Sequence, residues 1–145
     1  FGYPAGIALA LLGGYYVQAE SLPVTPLALA LVFLLVLAGI KVIDDAQDYA
    51  YDRSIAKRTV AVAVGPAGAH RVAYALMGAG MLAVVALAVV STGIPPSAAL
   101  SALAFGAVAA VARRAEPALA TMLLVRGSYV FLAVLVAAVW FRPLV

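Results

Sequence analysis

The sequence predicts an all-α fold: a polytopic bundle of about five membrane-spanning helices in one transmembrane unit over residues 1–145. Hydrophobic residues make up 67% of the chain and charged residues only 10%, against roughly 25% charged residues in soluble domains. The apolar residues fall into long runs, and prolines lie between the runs. A chain this apolar must place much of its surface against lipid, so we expect an integral membrane protein.

Five apolar runs approach the length of about 20 residues that a helix needs to cross a bilayer. They cover residues 1–17, 24–43, 72–90, 96–112 and 118–141. A proline destabilises a helix least at the helix end, where the backbone N–H that it lacks would have no hydrogen-bond partner. The prolines at the breaks between the runs are Pro23, Pro26, Pro95, Pro96 and Pro117. The runs lack the alternation of apolar and polar residues that membrane strands require. Helices also provide hydrogen-bond partners within the same segment for the backbone N–H and C=O groups that lie in the hydrocarbon core of the bilayer.

Small residues in these runs either allow close helix approach or simply reflect an alanine-rich and glycine-rich composition. The glycines concerned are Gly2, Gly6, Gly13, Gly14, Gly78, Gly80 and Gly106.

Basic residues concentrate in the second and fourth connections, at Arg53, Lys57, Arg58, Arg71, Arg113 and Arg114. With five helices these two connections share one side of the membrane. The positive-inside rule then places the polar connection of residues 44–71 in the cytoplasm.

That connection holds four of the six carboxylates in the chain: Asp44, Asp45, Asp48 and Asp52. If the second helix continues through them, they fall within an arc of roughly 100° on one face. Like charges so arranged repel, and a hard divalent cation such as Mg²⁺ would compensate for them. The alternative is a solvated segment in which the aspartates pair with Arg53, Lys57 or Arg58. The few scattered basic residues give no sign of nucleic-acid binding, and the absence of cysteine excludes thiolate metal sites.

Residues 41–65 read KVIDDAQDYAYDRSIAKRTVAVAVG, and this stretch resembles the second aspartate-rich motif of the UbiA superfamily of intramembrane prenyltransferases. That motif has the pattern D-x-x-D-x-x-x-D-R, followed by a short G-K-R-T-like turn, an apolar stretch and a glycine. The positions that match in register are Asp45, Asp48, Asp52, Arg53, Lys57, Arg58, Thr59 and Gly65. Ala56 stands where the family usually has glycine.

The resemblance implies a Mg²⁺-dependent transfer of an isoprenyl group from an isoprenyl diphosphate donor to a lipophilic acceptor. It implies that Asp48 and Asp52 bind the metal most directly, with Asp45 and Asp44 completing its shell. Lys41, Lys57 and Arg58 would then meet oxygens of the diphosphate, although Lys41 would also suit simple snorkelling to the interface. The apolar helices would hold the prenyl chain and keep water from the cation that forms.

Arg126 is the other outlier, because it lies deep in the fifth predicted helix, where a charge usually faces a cavity or a partner. Tyr129 follows one turn later on the same side. The functional interpretation makes both residues contacts of the substrate. The structural interpretation pairs Arg126 with a part of the protein outside this sequence.

Members of the resembled family are typically nine-helix bundles with two aspartate motifs, and this chain carries only the second one. We therefore expect it to be the C-terminal half of such a bundle, working with a missing N-terminal half of the same enzyme. Two other classes stay open on the residues alone. One is a piece of a cation-binding transporter, and the other is a non-catalytic membrane subunit.

Overall fold

A computed structural model describes residues 2–19, 24–90 and 94–141, and every regular element in these ranges is helical. The helices are α1 (Gly2–Ala19), α2 (Val24–Gln47), α3 (Tyr49–Ser54), α4 (Val60–Val90), α5 (Ala99–Arg114) and α6 (Pro117–Phe141). A short 3₁₀ turn, Pro96–Ala98, leads into α5. The prediction of an all-α bundle is confirmed.

Within the described residues, four stretches are long and apolar enough to cross a membrane: Leu27–Gln47, Val60–Val90, Pro96–Arg114 and Ala118–Ala138. They correspond to the last four predicted spans. The first predicted span forms helix α1, within which Pro4–Gly14 is a shorter apolar stretch. Between 28% and 50% of each long span is buried within the chain. The remaining apolar surface is therefore available to lipid or to other protein, as expected of a multi-pass membrane protein.

Helix α2 lies at the centre of the bundle and packs most extensively against α4. Its buried stripe includes Val32, Val36 and Ile43, which recur at helical spacing on one face. The two helices approach closely at Gly39, where an added Cβ would lie 2.7 Å from the carbonyl oxygen of Ala73. A Cβ at that distance would overlap the oxygen, so only the hydrogen atom of a glycine fits between the two helices. The packing of α2 on α4 therefore depends on Gly39.

Few of the glycines singled out in the sequence mark a close approach. Gly80 does, because a Cβ there would lie 2.8 Å from a methyl group of Val36. The glycines with open space around them are Gly6, Gly13, Gly14, Gly78 and Gly106. The surroundings of Gly2 lie outside what the structure describes. Close contacts at Gly39 and Gly127 were not predicted from the sequence.

Helices α5 and α6 form a second closely packed pair. A Cβ at Gly127 of α6 would lie 2.6 Å from a methyl group of Val108 on α5. Phe131 of α6 meets Phe33 of α2 and Phe105 of α5 edge to face, with ring centroids 5.5 and 5.8 Å apart. Edge-to-face pairs of this kind stabilise by about 0.5–1.5 kcal/mol beyond the burial of their area. This aromatic cluster joins α2 to the α5–α6 pair.

Helix α4 starts 12 residues before the third predicted span and contains a kink. It begins at Val60 rather than at residue 72, and Gly65 inside it has a positive φ of 79° that no helix contains. Pro66 follows directly and restarts the helix, since a proline is tolerated in a first turn. The predicted connection of residues 44–71 is therefore largely helical. It contains the end of α2, all of α3 and the first turns of α4.

Candidate functional site

Residues 41–57, here called the acidic segment, span a break between two helices rather than one continuous helix. Helix α2 ends at Gln47, and Asp48 adopts φ −96° and ψ 15°. The Asp48 amide donates to the carbonyl oxygen of Asp45 at 3.1 Å, three residues back, which tightens the last turn. Helix α3 then starts at Tyr49. The condition under which all four carboxylates would share one helical arc is not met, because α2 ends at Gln47 and α3 begins at Tyr49.

Lys41 pairs with the two carboxylates that follow it on α2. Its Nζ donates to Oδ1 of Asp45 at 2.6 Å and lies 3.5 Å from Oδ2 of Asp44. Residues three and four apart on a helix face the same way, so this pairing follows from the sequence spacing. The side chain of Asp45 is 18% exposed and that of Asp44 is 53% exposed. Lys41 thus takes part in the acidic segment itself, as an ion-pair partner of two predicted metal ligands.

Asp52 is the one buried carboxylate among the described residues. Its side chain is 3% exposed, and Oδ1 lies 3.7 Å from Nζ of Lys57. Its other oxygen, Oδ2, is buried and has no hydrogen-bond partner. A buried acceptor without a partner costs roughly 1–3 kcal/mol, and more when it is charged. An orphaned carboxylate oxygen at this position is the kind of group that a cation would satisfy.

The turn after α3 explains why glycine is usual where this chain has Ala56. The amide of Lys57 donates to the Asp52 carbonyl at 2.9 Å, and the amide of Ala56 donates to the Arg53 carbonyl at 3.2 Å. These two bonds form a Schellman motif, which needs a left-handed residue just past the helix end. Ala56 supplies it with φ 54°. The turn expected from the resemblance is present, and alanine adopts the strained conformation that glycine would adopt freely.

Thr59 then caps the next helical segment. Its Oγ1 accepts a hydrogen bond from the amide of Val62 at 3.2 Å, and its carbonyl accepts one from Ala63 at 3.1 Å. Threonine is a favoured capping residue because its hydroxyl satisfies an amide that has no partner within the helix. The cap and the preceding turn fix the course of the chain from Asp52 to the start of α4.

A hydrogen bond ties the acidic end of α2 to the beginning of α6. The side-chain amide of Gln47 donates to the hydroxyl of Thr121. Neither residue was singled out in the sequence, because nothing local in either segment indicates a partner 74 positions away. The contact shows that the first turns of α6 stand beside the acidic segment.

An apolar cavity of about 240 Å³ lies between α2 and α6, and Ile7 of α1 contributes to its wall. Leu37 and Ile40 of α2 and Val125 of α6 line this cavity and also a second one, which reaches Lys41 and Asp44. The apolar cavity therefore leads along α2 to the charged end of that helix. Its remaining lining residues are Phe33, Val36, Ser128, Tyr129, Phe131 and Leu132.

The other predicted site residues lie apart from the buried carboxylate. Tyr129 lines the apolar cavity but is 65% exposed. Arg126 and Arg58 are exposed, and neither forms an ion pair within the described part of the chain. Asp48 is exposed too, and its carboxylate makes no capping bond to α3. The structure brings Lys41 together with Asp44 and Asp45, and Lys57 with Asp52. It leaves Asp48, Arg58 and Arg126 without side-chain partners among the described residues.

Over residues 2–19, 24–90 and 94–141, no three acidic or histidine side chains converge into a ready metal cage. Mg²⁺ does not require one, because it usually keeps several waters and binds through one or two carboxylates plus substrate phosphates. Asp44 and Asp45 are adjacent on the last turn of α2 and suit that mode of binding, while Asp52 on α3 offers a separate carboxylate oxygen that has no partner. The described residues therefore fit a metal shared with a phosphate ligand better than a metal held by protein alone.

The comparison with protein families gives one match. The model of the UbiA prenyltransferase family matches residues 3–118, which is well over half of the chain and includes the whole acidic segment. Neither the curated proteins nor the solved structures contain a significant match.

Proposed function

This chain belongs to the UbiA prenyltransferase family, and on that premise we propose that it serves Mg²⁺-dependent transfer of an isoprenyl group within the membrane. The donor is an isoprenyl diphosphate, and the acceptor is a lipophilic molecule. The observation that carries the proposal is the apolar cavity between α2 and α6, which leads to Lys41 and Asp44. An isoprenyl diphosphate has the same two parts, an apolar chain and a charged head.

Four carboxylates are assigned to the metal, and Asp44 among them lines the second cavity at the charged end of α2. Asp44 and Asp45 lie on the last turn of α2, and Asp52 presents a buried oxygen without a partner. Asp48 joins them as the exposed carboxylate at the break between α2 and α3. A bound Mg²⁺ ion would supply the positive charge that makes a diphosphate a good leaving group.

The cationic side chains are assigned to the diphosphate. Lys41 reaches the mouth of the cavity, and Lys57 and Arg58 follow the turn after α3. Ammonium and guanidinium groups form strong, charge-assisted hydrogen bonds to phosphate oxygens. Tyr129 lines the cavity wall. Arg126, an exposed cation one turn before Tyr129 on α6, is assigned to the same ligand. In this arrangement the first carbon of the donor would lie near the charged end of α2.

The reaction breaks the allylic C–O bond, and the electron pair leaves with the diphosphate. A nucleophilic atom of the acceptor donates an electron pair to the resulting cation, and the acceptor then loses a proton. Apolar side chains such as Leu37, Ile40 and Val125 exclude water from this step. Exclusion matters because water would otherwise capture the cation and yield only a prenyl alcohol.

We place this chain as the C-terminal half of a nine-helix enzyme, with the acidic segment on the cytoplasmic side. The sequence carries one aspartate motif, and much of the apolar surface of its long helices is unburied. An N-terminal half that supplies the other motif would cover part of that surface. The basic residues at the ends of α3 and α5 support the cytoplasmic side.

The experiment that tests the proposal compares two single-carboxylate variants of the full-length protein in lipid nanodiscs. Asp48→Asn removes a proposed metal ligand, whereas Glu116→Gln removes an exposed carboxylate between α5 and α6. Pyrophosphate release from isoprenyl diphosphates of five to twenty carbons is measured with Mg²⁺ present. We expect Asp48→Asn to lose at least about 100-fold in rate, as losses of charge-stabilising groups commonly do, and Glu116→Gln to match wild type. Equal rates in both variants would contradict the metal assignment.

A further inference from the structure

The two lysines of the acidic segment contact carboxylates that are proposed metal ligands. Lys41 lies 2.6 Å from Asp45, and Lys57 lies 3.7 Å from Asp52. The ammonium group of Lys41 stands against an oxygen of Asp45 that a cation would otherwise contact, and that of Lys57 stands beside the Asp52 carboxylate, whose other oxygen has no partner. Both lysines are also proposed ligands of the diphosphate. The same side chain cannot satisfy a carboxylate and a diphosphate in full at the same time.

Exposure indicates which member of each pair moves. The side chains of Lys41 and Lys57 are 38% and 51% exposed, whereas that of Asp52 is 3% exposed and that of Asp45 is 18% exposed. A lysine head sits on a flexible stem of four carbons and reorients at little cost in water. The carboxylates are short and are held by the surrounding helix packing. The lysines are therefore the mobile members, and the carboxylates stay in place.

Charge gives a direction to that movement. Without a ligand, Asp44 and Asp45 both contact Lys41, and the ammonium group lowers their mutual repulsion. A divalent cation neutralises the same carboxylates more strongly than an ammonium group does, because its charge is twice as large and it approaches to about 2.0–2.1 Å. An ammonium group beside that cation is repelled from it. A diphosphate on the metal then offers the displaced lysine a new anionic partner.

From this arrangement we infer that Lys41 and Lys57 are place-holders for the metal, which exchange partners when the substrate binds. They hold Asp45 and Asp52 in the ligand-free protein and release them to the metal. They then bind the diphosphate that arrives with it. The inference rests on the proposed function and adds to it a coupling between two ligands. When the metal binds alone, the displaced lysines find no new anionic partner, so the affinity for the metal is low. When diphosphate is present it supplies that partner, so metal and diphosphate each strengthen the binding of the other.

The experiment measures two affinities on the full-length protein in phosphatidylcholine nanodiscs. The first is the affinity for Mn²⁺ alone, followed by the loss of its electron paramagnetic resonance signal on binding. The second is the affinity for labelled inorganic pyrophosphate at a fixed, saturating concentration of free Mn²⁺. For Lys41→Met we expect a gain of about twofold to fivefold in the first affinity, the order expected from losing a partly exposed ion pair. We expect a loss of about tenfold or more in the second, because a charge-assisted contact to phosphate is gone.

Lys57→Met should change both affinities in the same directions by smaller factors, because its contact with Asp52 is longer and its side chain more exposed. The matched control is Arg114→Gln, which removes a positive charge from an exposed residue at the end of α5. It should change either affinity less than twofold. The opposite signs within one variant are diagnostic, since a purely structural lysine would not produce them.

Two results would overturn the inference while leaving the proposed function intact. An unchanged Mn²⁺ affinity in Lys41→Met would mean that the lysine does not compete with the metal. A fall in both affinities would mean that the ion pair holds the site together rather than occupying it. A third result, in which wild-type protein binds neither Mn²⁺ nor pyrophosphate, would contradict the proposed function and this inference with it.

Discussion

Asp52→Asn should leave the stability of the protein intact while it abolishes function, because the buried carboxylate of Asp52 lacks hydrogen-bond partners among the described residues. One oxygen has no hydrogen-bond partner, and the other lies 3.7 Å from a lysine that is 51% exposed. An ion pair with such an exposed partner contributes well under 1 kcal/mol. The unsatisfied oxygen costs about 1–3 kcal/mol. Asparagine has the same shape and no charge, so we expect the free energy of unfolding to stay within about 1 kcal/mol of wild type or to rise.

The same substitution should abolish metal-dependent binding of the donor, since it removes a proposed metal ligand. The assay pairs unfolding in mixed detergent micelles with calorimetric binding of an isoprenyl thiolodiphosphate in the presence of Mg²⁺. Glu116→Gln serves as the control in both measurements. If the charge of Asp52 served the fold through its contact with Lys57, Asp52→Asn would instead lower the free energy of unfolding by clearly more than the roughly 1 kcal/mol upper limit of such a pair. A loss of that size together with unchanged donor binding would refute the reasoning.

Substitutions at Ala56 and Gly39 test the local structure, and substitutions at Arg126 test its role in donor binding. Ala56→Gly should stabilise the protein by about 1 kcal/mol, because glycine adopts a φ of 54° without strain, and unfolding in mixed micelles measures it. Gly39→Ala should lower the melting temperature markedly, since its Cβ would lie 2.7 Å from the backbone of Ala73, whereas Gly78→Ala, in open space, should not. Arg126→Ala should weaken donor binding and Arg126→Lys should weaken it nearly as much if the guanidinium fork grips phosphate. Normal donor affinity, stability and turnover in Arg126→Ala would exclude both a substrate role and a structural one.

The helical membrane fold and the family could be predicted because both depend on local sequence. Apolar runs of membrane length indicate helices whatever their neighbours are. The segment from Lys41 to Gly65 carries its motif in consecutive residues, and the family match over residues 3–118 includes all of it. The motif indicated a turn after Asp52 but not its exact form, because Ala56 replaces the usual glycine; the structure shows that Ala56 adopts the positive φ itself.

Contacts between helices could not be predicted, because they depend on which faces meet. Gly39 approaches a backbone oxygen on α4, whereas Gly78 faces open space, and both are small residues in apolar runs. Gln47 and Thr121 meet across the bundle although neither stands out in its own segment. The break at Asp48 escaped prediction for another reason. A helical arc assumes that the helix continues, and nothing in the acidic sequence forbids it from doing so.

Prenyl transfer itself is measured most directly by following the label of an isoprenyl diphosphate labelled in its prenyl group. Full-length protein in a bilayer that contains lipophilic acceptors should move the label into an extractable product and release one pyrophosphate for each label transferred. Chelating the divalent cation with EDTA should stop both, and restoring Mg²⁺ should recover both. Transfer that continues undiminished with EDTA, or labelled donor that stays intact with Mg²⁺ present, would contradict a metal-dependent prenyltransferase built on the aspartates of α2 and α3.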